Sequence, residues 1–354
     1  MKFYNLLIDW YLSNQRDLPW RKTKQPYHIW LSEIMLQQTR VAQGLPYYLR
    51  FVEEFPSVFD LAEASEEKVL KLWQGLGYYS RARNLHFTAK YVANELNGKF
   101  PHTYKELKKL KGVGDYTASA IASICFNEPV AVVDGNVYRV LSRVFGVDTP
   151  INSTEGIKEF KNLAEEKLDK ENASVYNQAI MEFGALHCKP KNPYCITCPF
   201  QAECVAFQQG KIEELPIKLK KTKVKTKHFN YLVVVSEGKT VIQQRRGNGI
   251  WKNLYQFPLI ETEKEVSKTQ FLKEENFLQL LSVPAEKVNL FNKKPIKHVL
   301  SHRKLMVKFW VMDLPEISSA FKTKEFEVIQ QENIRLYPVP VLIEKFIEQF
   351  YFNK

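Results

Sequence analysis

Cys188, Cys195, Cys198 and Cys204 form a C-x6-C-x2-C-x5-C array in one short stretch of chain. Thiolates so close in sequence can converge on one centre once the loop folds, and soft sulfur ligands suit either Zn²⁺ or an iron–sulfur cluster. Spacing alone leaves both open. Four protein ligands leave no vacancy for a substrate, so the role expected of the array is structural. Cys125, beside Ile121, Ile124 and Phe126, reads as a buried core thiol. A second signal is Leu110-Lys111-Gly112-Val113-Gly114-Asp115-Tyr116-Thr117-Ala118. Two glycines one residue apart allow a tight turn whose free N–H groups lead into a helix N-terminus, a natural site for a phosphate. The third is Asp134, which follows the apolar run Val130–Val133 and precedes Gly135. Its carboxylate should sit at the edge of a core, as a helix N-cap, a role compatible with chemistry.

These residues need elements to hold them. Apolar spacings of three and four over Ala62–Leu72, Asn84–Leu96 and Lys158–Leu168 predict amphipathic helices. Breaks at Gly75–Gly77, Gly98–Pro101 and Gly112–Gly114 separate helical segments through the first 210 residues. From Phe229 the texture changes. Tyr231–Val235, Thr240–Ile242 and Met306–Met312 are β-branched and aromatic, with turn signals at Ser236–Gly238 and Gly247–Gly249. The expected organisation is a helical domain over 1–210 that includes the cysteine loop (188–204), a basic linker over 211–228 and a β-rich domain over 229–354. The formal net charge of the 354 residues is +12, and most of the excess lies beyond residue 210. Such a balance fits a polyanionic partner or simply aids solubility, and decides nothing about the first 210 residues. No apolar run approaches the ~20 residues that a membrane-spanning helix needs. The N-terminus lacks signal-peptide architecture, because Asp9, Arg16 and Asp17 interrupt its apolar stretch. A cytoplasmic, reducing setting is expected, where cysteines serve metals more than disulfides.

Taken together, the Gly-Val-Gly hairpin, Val133-Asp134-Gly135-Asn136-Val137-Tyr138-Arg139 and the cysteine array resemble the helix-hairpin-helix DNA glycosylase superfamily, in its iron–sulfur branch with endonuclease III. Within that branch the chain resembles the MutY-type adenine DNA glycosylases. Leu18-Pro19-Trp20-Arg21 and Trp30-Leu31-Ser32-Glu33-Ile34-Met35-Leu36-Gln37-Gln38-Thr39 look like their signatures. Tyr116 stands where the bifunctional glycosylase/lyases carry a lysine nucleophile, and a β-rich domain follows a linker. The resemblance implies a fold class of α plus α+β: an all-helical helix-hairpin-helix domain with a [4Fe–4S] loop, then a MutT/Nudix-like domain. It implies one [4Fe–4S] cluster on Cys188, Cys195, Cys198 and Cys204. The implied partner is double-stranded DNA with A:8-oxoG or A:G mispairs, attacked by a monomeric, monofunctional glycosylase of base excision repair.

The resemblance also assigns roles. Breaking an adenine N-glycosidic bond passes through an oxocarbenium-like state, which asks for an acid at the base and a carboxylate beside C1′. Glu33 matches the acid that protonates N7, and its apolar neighbours would raise its pKa. Asp134 matches the carboxylate at C1′, which must stay ionised. Tyr116 and Asn136 match positioning residues of the same site, and Trp20, Arg21 and Gln178 match its adenine pocket. The base must be flipped out of the duplex; Gln38 and Tyr78 match the intercalating residues, with Leu36 assisting. Lys111, Gly112 and Gly114 are the implied phosphate grip. His298-Val299-Leu300-Ser301-His302 aligns with a lesion-sensing loop that usually reads Phe-Ser-His. Leu300 departs from that pattern and removes a stacking ring, while Ser301 and His302 remain. The Nudix-like region lacks the acidic array G-x5-E-x7-R-E-x-x-E-E, so no pyrophosphohydrolase activity is expected.

Three rivals remain distinguishable. An endonuclease III-like lyase is disfavoured by Tyr116 in place of lysine. A non-catalytic iron–sulfur sensor needs neither Glu33 nor Asp134. A Nudix hydrolase with a helical appendage fails on the missing acidic array.

Overall fold

The computed structural model describes residues 2–219, 224–281 and 284–352. The chain divides into two compact units, residues 1–63 with 84–221 and residues 64–83 with 222–354.

In the first unit the described residues form helices: α1 (Phe3–Asn14), α2 (Pro26–Leu36), α3 (Val41–Glu54) and α4 (Val58–Glu63). α5 (Glu66–Leu72) belongs to the second unit, and α6 (Ser80–Glu95) runs across the division. Then follow α7 (Tyr104–Leu107), α8 (Asp115–Phe126), α9 (Gly135–Phe145), α10 (Thr154–Lys167), α11 (Ala173–Leu186) and α12 (Val205–Gln208). The apolar pattern over Ala62–Leu72 is two helices. Ser65 interrupts it, because its side chain caps α5 by accepting from the Lys68 N–H. Helix α8 is rich in buried small residues (Ala118, Ser119, Ala120, Ala122, Ser123), which lets α2 and α11 both pack against it. Helix α11 also packs on α1 and α9. At that contact Gly184 is needed: a Cβ there would stand 2.7 Å from Asn136 Cβ and 2.9 Å from its carbonyl oxygen.

The second unit is built on a mixed sheet of β1 (Lys225–Ser236), β2 (Lys239–Gln244), β3 (Tyr255–Gln256), β4 (Leu259–Thr262), β5 (Val288–Leu290), β6 (Ile296–Val299), β7 (Arg303–Asp313) and β8 (Glu327–Gln330). Strand β1 is central. It pairs in parallel with β7 from Lys225↔Arg303 to Val235↔Asp313 and antiparallel with β2 and β4. Helices cover both faces, so β1 is buried from Phe229 to Val234; its sequence is apolar but for Asn230, whose side chain accepts from Trp310 Nε1 at 3.1 Å. On one face Leu232, Val234, Trp310 and Met312 meet Phe271 of α13 (Lys268–Phe271) and Phe277 of α14 (Glu275–Leu280). On the other, Phe309 lies between the Tyr231 ring, at 5.3 Å, and Phe346 of α15 (Val341–Ile347), at 4.0 Å.

Residues 64–83, read from the sequence within the 1–210 helical region, hydrogen-bond to this sheet unit. Tyr79 donates to the Val339 carbonyl (3.2 Å), Gln74 accepts from the Val339 N–H (3.0 Å), and Asn253 donates to Glu66 (2.5 Å). The 211–228 stretch is not uniformly a linker. Leu215 is buried, the Ile151 N–H donates to the Ile217 carbonyl at 3.0 Å, and β1 already begins at Lys225. The lysines at 220, 221 and 223 within it lie outside the described residues. Among the described residues no helix is long and apolar enough to cross a membrane.

Candidate active site and cysteine loop

Five elements converge on one cavity of about 470 Å³ in the first unit. The short 3₁₀ turn Pro19–Arg21 brings Trp20 and Arg21, α2 brings Glu33 and Leu36, and α8 brings Tyr116. The start of α9 brings Asp134 and Asn136, and α11 brings Gln178. All seven sequence-predicted residues of the pocket line it, and so does Leu36, which was expected beside the intercalating residues instead. Arg16, Arg40, Met181 and Glu182 line it as well.

Two of the three carboxyls in this cavity, those of Glu33 and Asp134, live in different surroundings. Glu33 is buried among Trp30, Leu31, Ile34 and Met35. Burial, with Asp134 nearby, pushes its carboxyl up to about 7, against the hydrogen bond from Tyr116 and the charge of Arg21. It is therefore substantially protonated near neutral pH. Asp134 is the N-cap of α9. Its Oδ1 accepts from the N–H groups of Asn136 and Val137, both at 2.8 Å, and its Oδ2 accepts from Asn136 Nδ2 at 2.8 Å. Burial raises this carboxyl above the ordinary aspartate range, and those three donors and the nearby Arg139 offset only part of the rise. The helix N-terminus favours the anion in the same sense. Asn136 is held in turn by Arg139 Nη2, which donates to its Oδ1 at 2.9 Å. The Tyr116 hydroxyl lies 3.2 Å from Met181 Sδ and hydrogen-bonds Glu33, and burial raises it well above the usual phenol range. Trp20 packs edge-on against Tyr48, centroids 5.0 Å apart.

Apart from Leu36, the predicted DNA-facing residues lie outside this cavity. Gln38 and Tyr78, in the loops after α2 and before α6, adopt left-handed backbone, with φ of 58° and 47°. That conformation is costly for residues with a Cβ. Lys111 is exposed, its Nζ 4.1 Å from the centre of the Phe87 ring. Gly112 has φ +83°, and a Cβ there would meet Asn84 Cβ at 2.8 Å. Gly114 is the N-cap of α8, in extended backbone. In the second unit Leu300, Ser301 and His302 form the turn between β6 and β7, closed by the Leu300 N–H on the Arg303 carbonyl at 2.8 Å. Ser301 Oγ is 3.0 Å from the Tyr78 hydroxyl.

The cysteines sit in a loop pinned to α9. Arg139 Nε donates to the Cys188 carbonyl at 2.7 Å, and Arg143 Nη1 donates to the Lys189 carbonyl at 2.8 Å and approaches Cys188 Sγ at 3.6 Å. Burial and the thiolates of Cys188, Cys204 and Cys195 push the Cys198 thiol up to about 12. Cys188 and Cys204 likewise act on Cys195. The four sulfurs are thus near enough to repel once ionised, which a bound cationic centre relieves. Among the described residues no three His, Cys, Asp or Glu side chains converge on a single ion. Zinc would draw its thiolates to roughly 4 Å of one another, given Zn–S bonds of ~2.3 Å. Four thiolates equally suit a cluster of several irons with a thiolate on each, so the donor chemistry fits either centre. Cys125 is half-buried, less enclosed than the core thiol expected; burial and the nearby Glu33 carboxyl push its thiol up to about 12.

Residues 31–166 match the HhH-GPD superfamily of base excision DNA repair proteins, and residues 230–349 match the NUDIX domain. An adenine DNA glycosylase of Buchnera aphidicola subsp. Baizongia pistaciae is 35% identical over 317 residues, which is 88% of this chain and 86% of that protein. The chain belongs to the adenine DNA glycosylase family. Another member, from Buchnera aphidicola subsp. Acyrthosiphon pisum, is 32% identical over 98% of this chain and 97% of its own. The human adenine DNA glycosylase is 44% identical over 60% of this chain and 41% of its own. Among solved structures, a thermostable thymine-DNA glycosylase superposes with a TM-score of 0.54 at 29% identity, over 58% of this chain and 95% of that one. A non-covalent endonuclease III–DNA complex gives a TM-score of 0.51 over 58% and 94%, at 23% identity, a likeness of fold. The adenine DNA glycosylase family frame agrees with the helical domain followed by a Nudix-like mixed-sheet domain expected from the sequence, and the chain is a DNA glycosylase. Sequence reasoning missed Arg16, Arg40, Met181 and Glu182. One signal was available: Glu182 is the lone charged residue of α11.

Proposed function

We propose that this protein excises adenine mispaired with 8-oxoguanine, or with guanine, from duplex DNA, as a monofunctional glycosylase. One observation carries the reading: a protonated Glu33 and an N–H-clamped Asp134 share a cavity large enough for a purine. The flipped adenine enters that cavity, with Trp20, Leu36 and Gln178 around the base. Glu33 gives its proton to N7, which turns a poor leaving group into a neutral one. As the C1′–N9 bond breaks, its electron pair goes to the base and positive charge develops at C1′. Asp134, whose carboxylate form its three N–H donors favour against burial, stabilises that charge or bonds briefly to C1′. Water then adds at C1′, and Glu33, now a carboxylate, accepts its proton. Asn136 orients Asp134 and Tyr116 orients Glu33. No lysine stands at position 116, so no imine forms and the strand is left uncut.

Outside the cavity, Gln38 and Tyr78 act as wedges that fill the gap left by the flipped base. Lys111 and the N–H groups of the Gly112–Gly114 turn grip a phosphate. Ser301 and His302 read the opposite base, without the stacking ring that Leu300 replaces. Cys188, Cys195, Cys198 and Cys204 would hold one [4Fe–4S] cluster, whose contribution when bound is to fix their loop against α9.

The test is a single-turnover assay on duplexes carrying A:8-oxoG, A:G and thymine glycol, each with and without alkali. The expected result is cleavage of the adenine strand only after alkali, fastest opposite 8-oxoG. Nicking of the thymine-glycol duplex without alkali overturns it in favour of a lyase. Silence on all three with intact binding favours a sensor.

A further inference from the structure

Glu182 takes no part in the reaction just described, yet it faces the same cavity with almost none of its surface exposed. Its Oε1 accepts from the Arg16 N–H (2.9 Å), Arg16 Nε (2.8 Å) and Arg21 Nη1 (2.8 Å). Its Oε2 accepts from Arg16 Nη2 (2.5 Å) and Arg21 Nη2 (2.7 Å). Arg21 Nη1 also donates to the Arg16 carbonyl at 3.0 Å. One buried carboxylate therefore engages both guanidinium groups through paired donors, the strongest geometry such groups adopt. Those donors hold the Glu182 carboxyl down at about 2 in spite of its burial, so it is a fixed anion throughout the working pH range.

The groups that face Glu33 come from every wall of the cavity. Arg16 and Arg21 come from the segment before α2, and Arg40 from the turn into α3. Tyr116 and Cys125 come from α8, Asp134 from the cap of α9, and Glu182 from α11. Arg21 is the cation that works against protonation of Glu33. A guanidinium released in a buried pocket finds the nearest anion, and the carboxylate of Glu33 is available in the same cavity.

Resting on the reading of Glu33 as the general acid, we infer that Glu182 is a positioning counter-ion. It commits Arg16 and Arg21 to itself and so prevents them from drawing the proton off Glu33. The pocket can then carry two arginines around a purine without losing its acid.

The pH dependence of single-turnover adenine excision tests this on the full-length, cluster-containing protein. The wild-type rate should fall as pH rises through about 7. In Glu182→Gln the midpoint of that fall should move down by about one pH unit or more, the usual effect of a close opposite charge on a carboxyl. The rate at pH 8 then drops about tenfold beyond any change in the low-pH plateau. Glu182→Gln/Arg21→Gln should restore the midpoint. A uniform loss at every pH, with the midpoint unmoved, overturns the inference and leaves Glu182 merely structural. So does a double variant whose midpoint stays low. Thermal melting and cluster absorbance check that the variants fold. Should Glu182→Gln not fold, Arg21→Gln alone decides, because its midpoint should rise and a fall would refute the idea. A wild-type protein without adenine excision at any pH would instead defeat the proposed function.

Discussion

Glu33 illustrates how one residue trades stability for chemistry. Its carboxyl is raised to about 7 by burial, above the ordinary value of 4.5 that it has in the unfolded chain. A carboxyl raised in the fold resists ionisation there, so ionisation weakens the fold as pH climbs from 4.5 and the loss saturates above 7. Glu33→Gln keeps the shape and removes the titration. It should abolish adenine excision while stabilising the protein at pH 8 by on the order of 1–3 kcal/mol, with little gain at pH 4. Denaturant unfolding at the two pH values checks this; equal stability changes at both would mean Glu33 is not held in a desolvated pocket. Glu33 and Asp134 were legible in the sequence because each sits inside a short motif. Arg16 and Glu182 were not, because the partners of this clamp lie 166 residues apart and no local pattern marks them.

At the scale of the element, α9 acts as a spine. Its cap is Asp134, its first turn holds Asn136, and Arg139 one turn on links the Asn136 side chain to the Gly184 and Cys188 carbonyls. Arg139→Ala should therefore leave two buried carbonyls without a donor and let Asn136 swing. The expected loss is at least tenfold in excision rate, and about 2–4 kcal/mol in stability. Full activity with a normal melting temperature would show that Asn136 needs no such anchor. The hairpin before α8 makes a different demand. Gly112 at φ +83° has Asn84 pressed against the place of a Cβ, so Gly112→Ala should distort the turn by about 1–3 kcal/mol. Duplex affinity should fall while the cavity chemistry persists at saturating DNA. A fall in the single-turnover plateau with affinity unchanged would place the hairpin in the chemistry. Such helices and turns were readable from periodicity and from glycine. What periodicity missed was the break at Ser65, where a cap outweighs a continuous apolar stripe.

For the whole molecule, the division into two units does not follow the order of the chain. Residues 64–83 lie early in the sequence but hydrogen-bond to Val339, Asn253 and Ser301, across separations of up to 265 residues. Composition can mark where β-texture begins, at Phe229, but it cannot report that an early segment has joined the sheet unit. That recruitment has a consequence at Tyr78. Its backbone is left-handed, its ring stands about half exposed, and its hydroxyl meets Ser301 of the β6–β7 turn at 3.0 Å. The wedge proposed for the duplex and the loop proposed to read the opposite base are thus fixed to each other within one unit before DNA arrives. Preorganisation of this kind lowers the entropy lost on binding and should favour the duplex that engages both residues. Tyr78→Phe keeps the ring and removes the hydroxyl, and Ser301→Ala removes its partner. If the bond carries the coupling, each single change should narrow the preference for A:8-oxoG over A:G about fivefold, near 1 kcal/mol, and the double change should narrow it little further. Additive losses would mean that Tyr78 and Ser301 act on the DNA independently.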